Sequence, residues 1–289
     1  MTLSIFLNTK QKLRNTWWVA IFFLVLAAIT FPVILLSQHY KFEIIILYQA
    51  IIVIAASLIC QLWRKEPLSD LFGVFNFRWL KTLSSGLLIG AALMFVPSLI
   101  LLVSGSVTWQ NNTVDLSSLL SVTIIFIAVA VAEEVLFRGF IFQRLIAGTG
   151  VWFAQLLIAG YFLLIHLNNP GMTGNIKLIA GVNIFLASIM FGLAFIRTKS
   201  LAMPIGIHFM ANWVQGTVLG FGVSGNEQAG FLKPVFNGAP GWLTGGTFGL
   251  EASIPGLISV IITIILLYRW KPGKMKLLTL RHDYSIHPS

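Results

Sequence analysis

Three short stretches of this chain hold side chains whose types and spacing could do chemistry. "VAEEVLFRGF", residues 131–140, sets Glu133, Glu134 and Arg138 at the end of a long apolar run. On a helix, Glu134 and Arg138 stand four apart with the acid first, the favourable order for an ion pair. Glu133 is turned by about 100° from Glu134, so it points elsewhere and stays available. "YFLLIHLNNP" adds His166, and "PIGIHFMANW" adds His208 and Asn212, which share one helix face. A free carboxylate and an imidazole can hold a water between them, and the His208–Asn212 donor pair could stabilise an oxyanion.

Each feature also has a plainer reading. The acid–arginine cluster could be an ion pair at a helix end, His166 a hydrogen-bonded core residue, and Asn212 a link to a neighbouring helix. The remaining acids (Glu43, Glu66, Asp70, Asp115, Glu227, Glu251 and Asp283) and histidines (His39, His282 and His287) fall in loops, at span ends or in the tail. A solvated charge there needs no explanation. Ionisable groups inside membrane helices are costly and usually functional, which favours chemistry at Glu133, Glu134, His166 and His208.

The elements that must position these residues are membrane helices. The 289 residues are 57% hydrophobic and 10% charged, against about 25% charged in an ordinary soluble domain. Apolar runs of bilayer-crossing length recur along the chain. The expected fold is all-α, a single integral membrane domain over 1–289 with about eight transmembrane helices. Their expected places are 17–36, 43–63, 83–104, 116–137, 150–167, 178–197, 202–220 and 254–270. The first is too long for a signal-peptide core and is kept as an anchor. The lone Cys60 excludes an internal disulfide framework and a multi-cysteine metal site.

The net charge of +10 reads as loop orientation at an anionic membrane face rather than nucleic-acid binding. With alternating sides, sixteen lysines and arginines fall on one face, and only Lys41, Lys177 and Lys233 on the other. The first set includes Lys10, Lys274, Lys276 and Arg281. Both termini are therefore expected in the cytoplasm, with a glycine-rich loop over 221–253 outside and a solvated basic tail after Trp270.

Helix arithmetic then tests the site. If helices four and five turn near Gly148–Gly150, Glu133 and His166 each lie about 16 residues, or roughly 24 Å, from the turn. That level puts His166 near the outer face, whereas His208 lies only about 10 Å inside its own helix start. Helix four is therefore expected to run on into the cytosol, and helix five to continue or break at "NNPG". Irregular backbone at membrane depth is tolerated where it lines a wet cavity.

"EEVLFR", "FLLIH" and "HFMAN" together resemble the motifs of the CAAX prenyl protease and bacteriocin-processing family, also called the Abi group, which are intramembrane endopeptidases. The matching positions are Glu133, Glu134, Arg138, Phe162, His166, His208 and Asn212, in order and spacing. The resemblance is firm over about 115–220, and "LTGGTFGLE", residues 243–251, is similar to a segment of many bacterial members. It implies a peptidase whose active site lies in a cavity between helices four, five and seven. Glu133 would act as the base on a water shared with His166, and His208 and Asn212 would form the oxyanion hole. Glu134 and Arg138 would orient the set, with Arg138 also able to meet a substrate carboxylate. The resemblance further implies a peptide or protein substrate, lipidated in the CAAX branch, and a bacterial plasma membrane as the location.

Zinc is the open question, because the family is often classed with metalloproteases. Glu133, His166 and His208 could form a two-histidine, one-glutamate zinc set. That spends Glu133 as a ligand and leaves Glu134, tied to Arg138, as a weak base. It also asks three helices to hold ligand distances, with no carboxylate evident behind either imidazole. A metal-free site is therefore expected, with no cofactor. HExxH and GxSxG motifs are absent from the sequence, and its three aspartates fall in loops or the tail. The rival readings are a proton-coupled transporter and a non-catalytic immunity or scaffold protein.

Overall fold

The computed structural model describes residues 3–8, 11–228 and 230–271. Its main helices are α1 (Asn15–Tyr40), α2 (Ile46–Trp63), α3 (Phe77–Val103), α4 (Leu116–Glu134), α5 (Ile141–Thr149), α6 (Val151–His166), α7 (Gly174–Thr198), α8 (Ala202–Trp213) and α9 (Ile254–Arg269). The chain is an all-α polytopic membrane protein. Among the described residues, five helical stretches are long and apolar enough to cross a membrane: Asn15–Tyr40, Ile46–Trp63, Ser69–Val103, Leu116–Thr149 and Gly174–Thr198.

Every expected span has a helix at its place, but three helices fall below the roughly 17–25 residues of a crossing. Helices α6 and α9 have 16 residues each, about 24 Å against a hydrocarbon core of about 30 Å. Helix α8 has 12 residues and continues as a π-helical turn, Val214–Val218. All three border the cavity described below. Helix four does run long: α4 passes through a π-helical turn, Val135–Phe140, with a kink at Gly139, into α5. Helix five breaks where "NNPG" stands, and α7 starts afresh at Gly174. Pro170 and the left-handed Gly171 (φ 77°) fit that break.

Helix α4 starts on Asp115, which accepts from the Ser118 amide at 3.0 Å and from the Ser117 and Ser118 hydroxyls at 2.6 Å. Those hydroxyl bonds, Ser117 before Ser118, hold the Asp115 carboxyl well below the usual carboxylate range. The start of α8 is tied to the Ser69–Phe72 turn, since Ser200 Oγ donates to the Phe72 carbonyl at 3.2 Å and accepts from the Ala202 amide at 3.1 Å.

The closest helix crossing uses glycine on both sides. A Cβ on Gly86 would lie 2.4 Å from the Met203 carbonyl, one on Gly90 2.4 Å from that of Ile207, and one on Gly206 2.6 Å from that of Leu83. Only hydrogen at these positions lets the α3 and α8 backbones touch, the way small residues four apart bring membrane helices together. The approach sets the height and rotation of His208.

One apolar cluster gathers Phe22, Phe137, Phe140, Phe142 and Phe162, and another gathers Leu93, Met190, Phe191, Ile207 and Val214. The region 221–253, expected as a plain loop, is built. Strand β1 (Val107–Asn111) pairs antiparallel with β2 (Leu232–Phe236), in the register Val107 to Phe236. Trp109 Nε1 donates to the Leu219 carbonyl at 3.0 Å, fastening the two-stranded sheet to the end of the π-helical turn. The polar tail, with Lys274, Lys276 and Arg281, lies outside the described residues, as does Lys10.

Candidate active site

Arg138 organises one wall of the site. It is fully buried, and its guanidinium donates to Glu134 Oε1 at 3.2 Å, to the Ser188 hydroxyl at 2.7 Å and to the Ser188 carbonyl at 3.0 Å. The rings of Phe162, Phe191 and Phe137 lie 5.0, 5.1 and 5.6 Å from its charged carbon. A buried cation is tolerated only when paired and bonded in this way. Phe162 is also the residue four before His166, whose ring it meets at 4.5 Å. The arginine and phenylalanine motifs are thus one packed unit.

Glu134, also fully buried, accepts from two groups on the same oxygen. Besides Arg138, His208 donates through Nδ1 to Oε1 at 2.9 Å. This corrects the expectation that no carboxylate backs either histidine. Spacing along α4 shows the Arg138 partner, whereas the His208 partner comes from a helix 74 residues away. The His208 ring stacks on Phe191 at 5.1 Å. With Nδ1 committed, Nε2 is the nitrogen it turns outward, 3.9 Å from Glu133 Oε2.

These groups border a cavity of about 600 Å³. Glu133, His166, His208 and Asn212 line it, and Glu134 and Arg138 stand behind the wall. That burial leaves Arg138 no open face for a substrate carboxylate, which corrects that part of the sequence reading. Oε2 of Glu133 and Oε2 of Glu134 are both buried without a hydrogen-bond partner, but only the Glu133 side chain lines the cavity. His166 Nδ1 donates to the Phe162 carbonyl at 2.7 Å, so its Nε2 carries the lone pair. The imidazole at ion-pair distance from Glu133 is that of His208; His166 borders the same cavity from the end of α6. The lining also draws on α2, α3, α7 and the 223–228 segment, more elements than helices four, five and seven.

Glu251, a loop acid by sequence, lines this cavity with Gln215 and Ser224. Burial pushes its carboxyl above the ordinary carboxylate range, against the opposing pull of the Ser224 amide, His166 and Gln215. Its one sequence signal was its place at the end of the "LTGGTFGLE" segment.

Among the described residues, no three histidine, cysteine, aspartate or glutamate side chains are grouped to hold a metal ion. Glu133 and His208 stand 3.9 Å apart, and no ion pair joins His166 to either.

Residues 115–214 match the family model described as type II CAAX prenyl endopeptidase, Rce1-like. This segment is similar to that family. It contains Glu133, Glu134, Arg138, His166, His208 and Asn212 and ends before Glu251. The match indicates a peptidase, in general terms a CAAX-type intramembrane endopeptidase, with a lipid bilayer around it and a peptide as its substrate. No curated protein and no solved structure matches the chain.

Proposed function

We propose that this protein hydrolyses a peptide bond with a water held between Glu133 and His166, toward the cytoplasmic side of the membrane. The observation that carries the reading is the division of labour between adjacent glutamates. Glu134 holds Arg138 and His208 through Oε1 and stands behind the wall, while Glu133, which no arginine claims, lines the cavity. Glu133 takes a proton from the water and hands it to the departing nitrogen, as a general base and then acid. The other water hydrogen bonds His166 Nε2. His208, held as an imidazolium by Glu134 through Nδ1–H, offers Nε2–H to the carbonyl oxygen as it becomes an oxyanion, and Asn212 supplies a second donor. In a cavity shielded from bulk water such donors act strongly, because the local dielectric is low.

The substrate class proposed is a lipidated C-terminal peptide, with leader or regulatory peptides as the bacterial counterpart. Purified protein in liposomes should cleave an internally quenched prenylated peptide without moving solute. Solute flux with no cleavage would replace the peptidase with a proton-coupled carrier, and neither activity would favour an immunity or scaffold role. Comparison of peptides in cells carrying the native or the Glu133→Gln protein identifies the physiological substrate.

The orientation proposed puts both termini in the cytoplasm and 221–253 outside. It rests on the charge asymmetry of the sequence, and reporter fusions at 1–15, 64–82 and 221–253 test it. An extracytoplasmic 64–82 would invert it. The chemistry proposed needs no metal, since Glu133 serves as base rather than ligand. Elemental analysis of active, chelator-treated protein is the check. Stoichiometric zinc that tracks activity, with recovery only on zinc return, would overturn the metal-free mechanism and leave the peptidase reading standing.

A further inference from the structure

The cavity holds a second free-standing carboxyl that the mechanism above does not use. Glu251 sits in the turn Leu250–Ala252, just ahead of α9. Its surroundings are built around it. Asn183 on α7 donates to its backbone carbonyl at 2.6 Å. The Ser224 amide donates to Oε1 at 2.6 Å, and Gln215 Nε2 to the same oxygen at 3.1 Å. The Ser224 hydroxyl lies 3.2 Å from Oε1 and 3.3 Å from Oε2. Oε1 is saturated, whereas Oε2 has that one long contact and remains open.

The turn can approach this closely because Gly249 adopts φ 113°, and a Cβ there would lie 2.1 Å from the Gly222 carbonyl. That glycine pins the 221–225 backbone to the carboxyl, which is thereby held in place. Burying a carboxylate is costly, and a chain that invests three elements in holding one has placed it for a purpose.

What faces it is His166. Both side chains line the one cavity, and His166 is within electrostatic reach of the carboxyl. No ion pair joins them directly, so a gap separates the two groups. His166 has Nδ1 tied to Phe162, leaving Nε2 as the nitrogen that exchanges protons with the cavity.

We propose that Glu251 is a positioning carboxylate of this site, which stabilises the positive charge that His166 takes on during hydrolysis. The inference rests on the proposed peptidase function. In the attack, the water oxygen bonds the carbonyl carbon and its first proton goes to Glu133. The carbon–nitrogen bond then breaks with its electron pair on nitrogen, and Glu133 returns that proton to the amine. The second proton, on the newly attached oxygen, passes to His166 Nε2 as the product becomes a carboxylate. Glu251, whose charged form the Ser224 amide, the His166 charge and Gln215 favour against the cost of burial, compensates the imidazolium until the proton leaves to solvent, and one water is consumed. A carboxylate serving a catalytic histidine in this way supplies charge stabilisation without itself being the base.

The test is a double-mutant cycle read on cleavage of the quenched prenylated peptide in liposomes. Glu251→Gln keeps an acceptor for Ser224 and Gln215 but loses the charge, so kcat should fall about tenfold or more with KM unchanged. In a His166→Ala background the same substitution should change kcat by less than about twofold, because its effect runs through the imidazole. Equal losses in both backgrounds, or a rise in KM with kcat preserved, would overturn the proposal. Glu251→Asp keeps the charge but withdraws it, and the same cycle with it decides the matter if the glutamine variant fails to reach the membrane. An unaltered protein that cleaves nothing would sink the peptidase reading and this inference with it. Cleavage with additive losses would sink the inference alone.

Discussion

The two glutamates of "EEVLFR" are adjacent in sequence and opposite in circumstance. Glu134 is fully buried and bonded to Arg138 and His208. Glu133 keeps 21% of its side chain exposed and lines the cavity. The same contrast divides the rest of the site. Arg138 stands behind the wall with its terminal nitrogens on Ser188 and Glu134, while His166, Asn212 and Glu251 line the open space. A charge whose bonds are taken up by the protein is architecture. A charge held in place but left short of partners is available for substrate.

The contrast can be broken at its strongest point first. Arg138→Ala leaves Glu134 buried beside His208 without its cation, and breaking a buried pair costs about 3–5 kcal/mol. Membrane yield and thermal unfolding in detergent should both collapse. A variant that folds normally and loses activity alone would move Arg138 from architecture to chemistry.

Glu133→Gln is the converse experiment. It keeps the shape of a side chain with no structural bond to lose, so the unfolding temperature should hold while cleavage falls at least about a hundredfold. His166→Ala should behave alike. Undiminished turnover in either variant at normal yield would show that the cavity-facing set is not the active site.

A smaller effect separates position from chemistry. Gly90→Ala places a methyl 2.4 Å from the Ile207 carbonyl and forces α3 away from α8. The expected cost is about 1–3 kcal/mol, with loss of cleavage from a displaced His208 though no site residue has changed. Full activity in this variant would show that His208 tolerates movement. The smallest expected change is at the foot of α9, where Ser253 Oγ accepts from the Gly256 amide at 3.0 Å and donates to the Leu250 carbonyl at 2.6 Å. Ser253→Ala should cost about 1 kcal/mol. A kcat loss larger than the stability loss would mean that the turn bearing Glu251 is sensitive to its cap.

Much of this protein was readable locally. Apolar runs of bilayer length set the helices, and four-residue spacing paired Glu134 with Arg138 and aligned His208 with Asn212, because these follow from helix pitch alone. The break after His166 was foreshadowed by "NNPG", where proline and glycine end a helix for local reasons. Only the tertiary structure decided how those elements meet. The His208–Glu134 bond joins residues 74 apart, and the glycine contacts of α3 with α8 that aim His208 are close approaches between distant segments. Glu251 shows the limit most clearly. A charge in a loop is solvated unless the loop folds inward, and nothing in its neighbours' periodicity signals that Ser224, Gln215 and Asn183 will close around it. Helix pitch is a property of the chain, whereas burial of a loop charge depends on everything else the chain has packed against it.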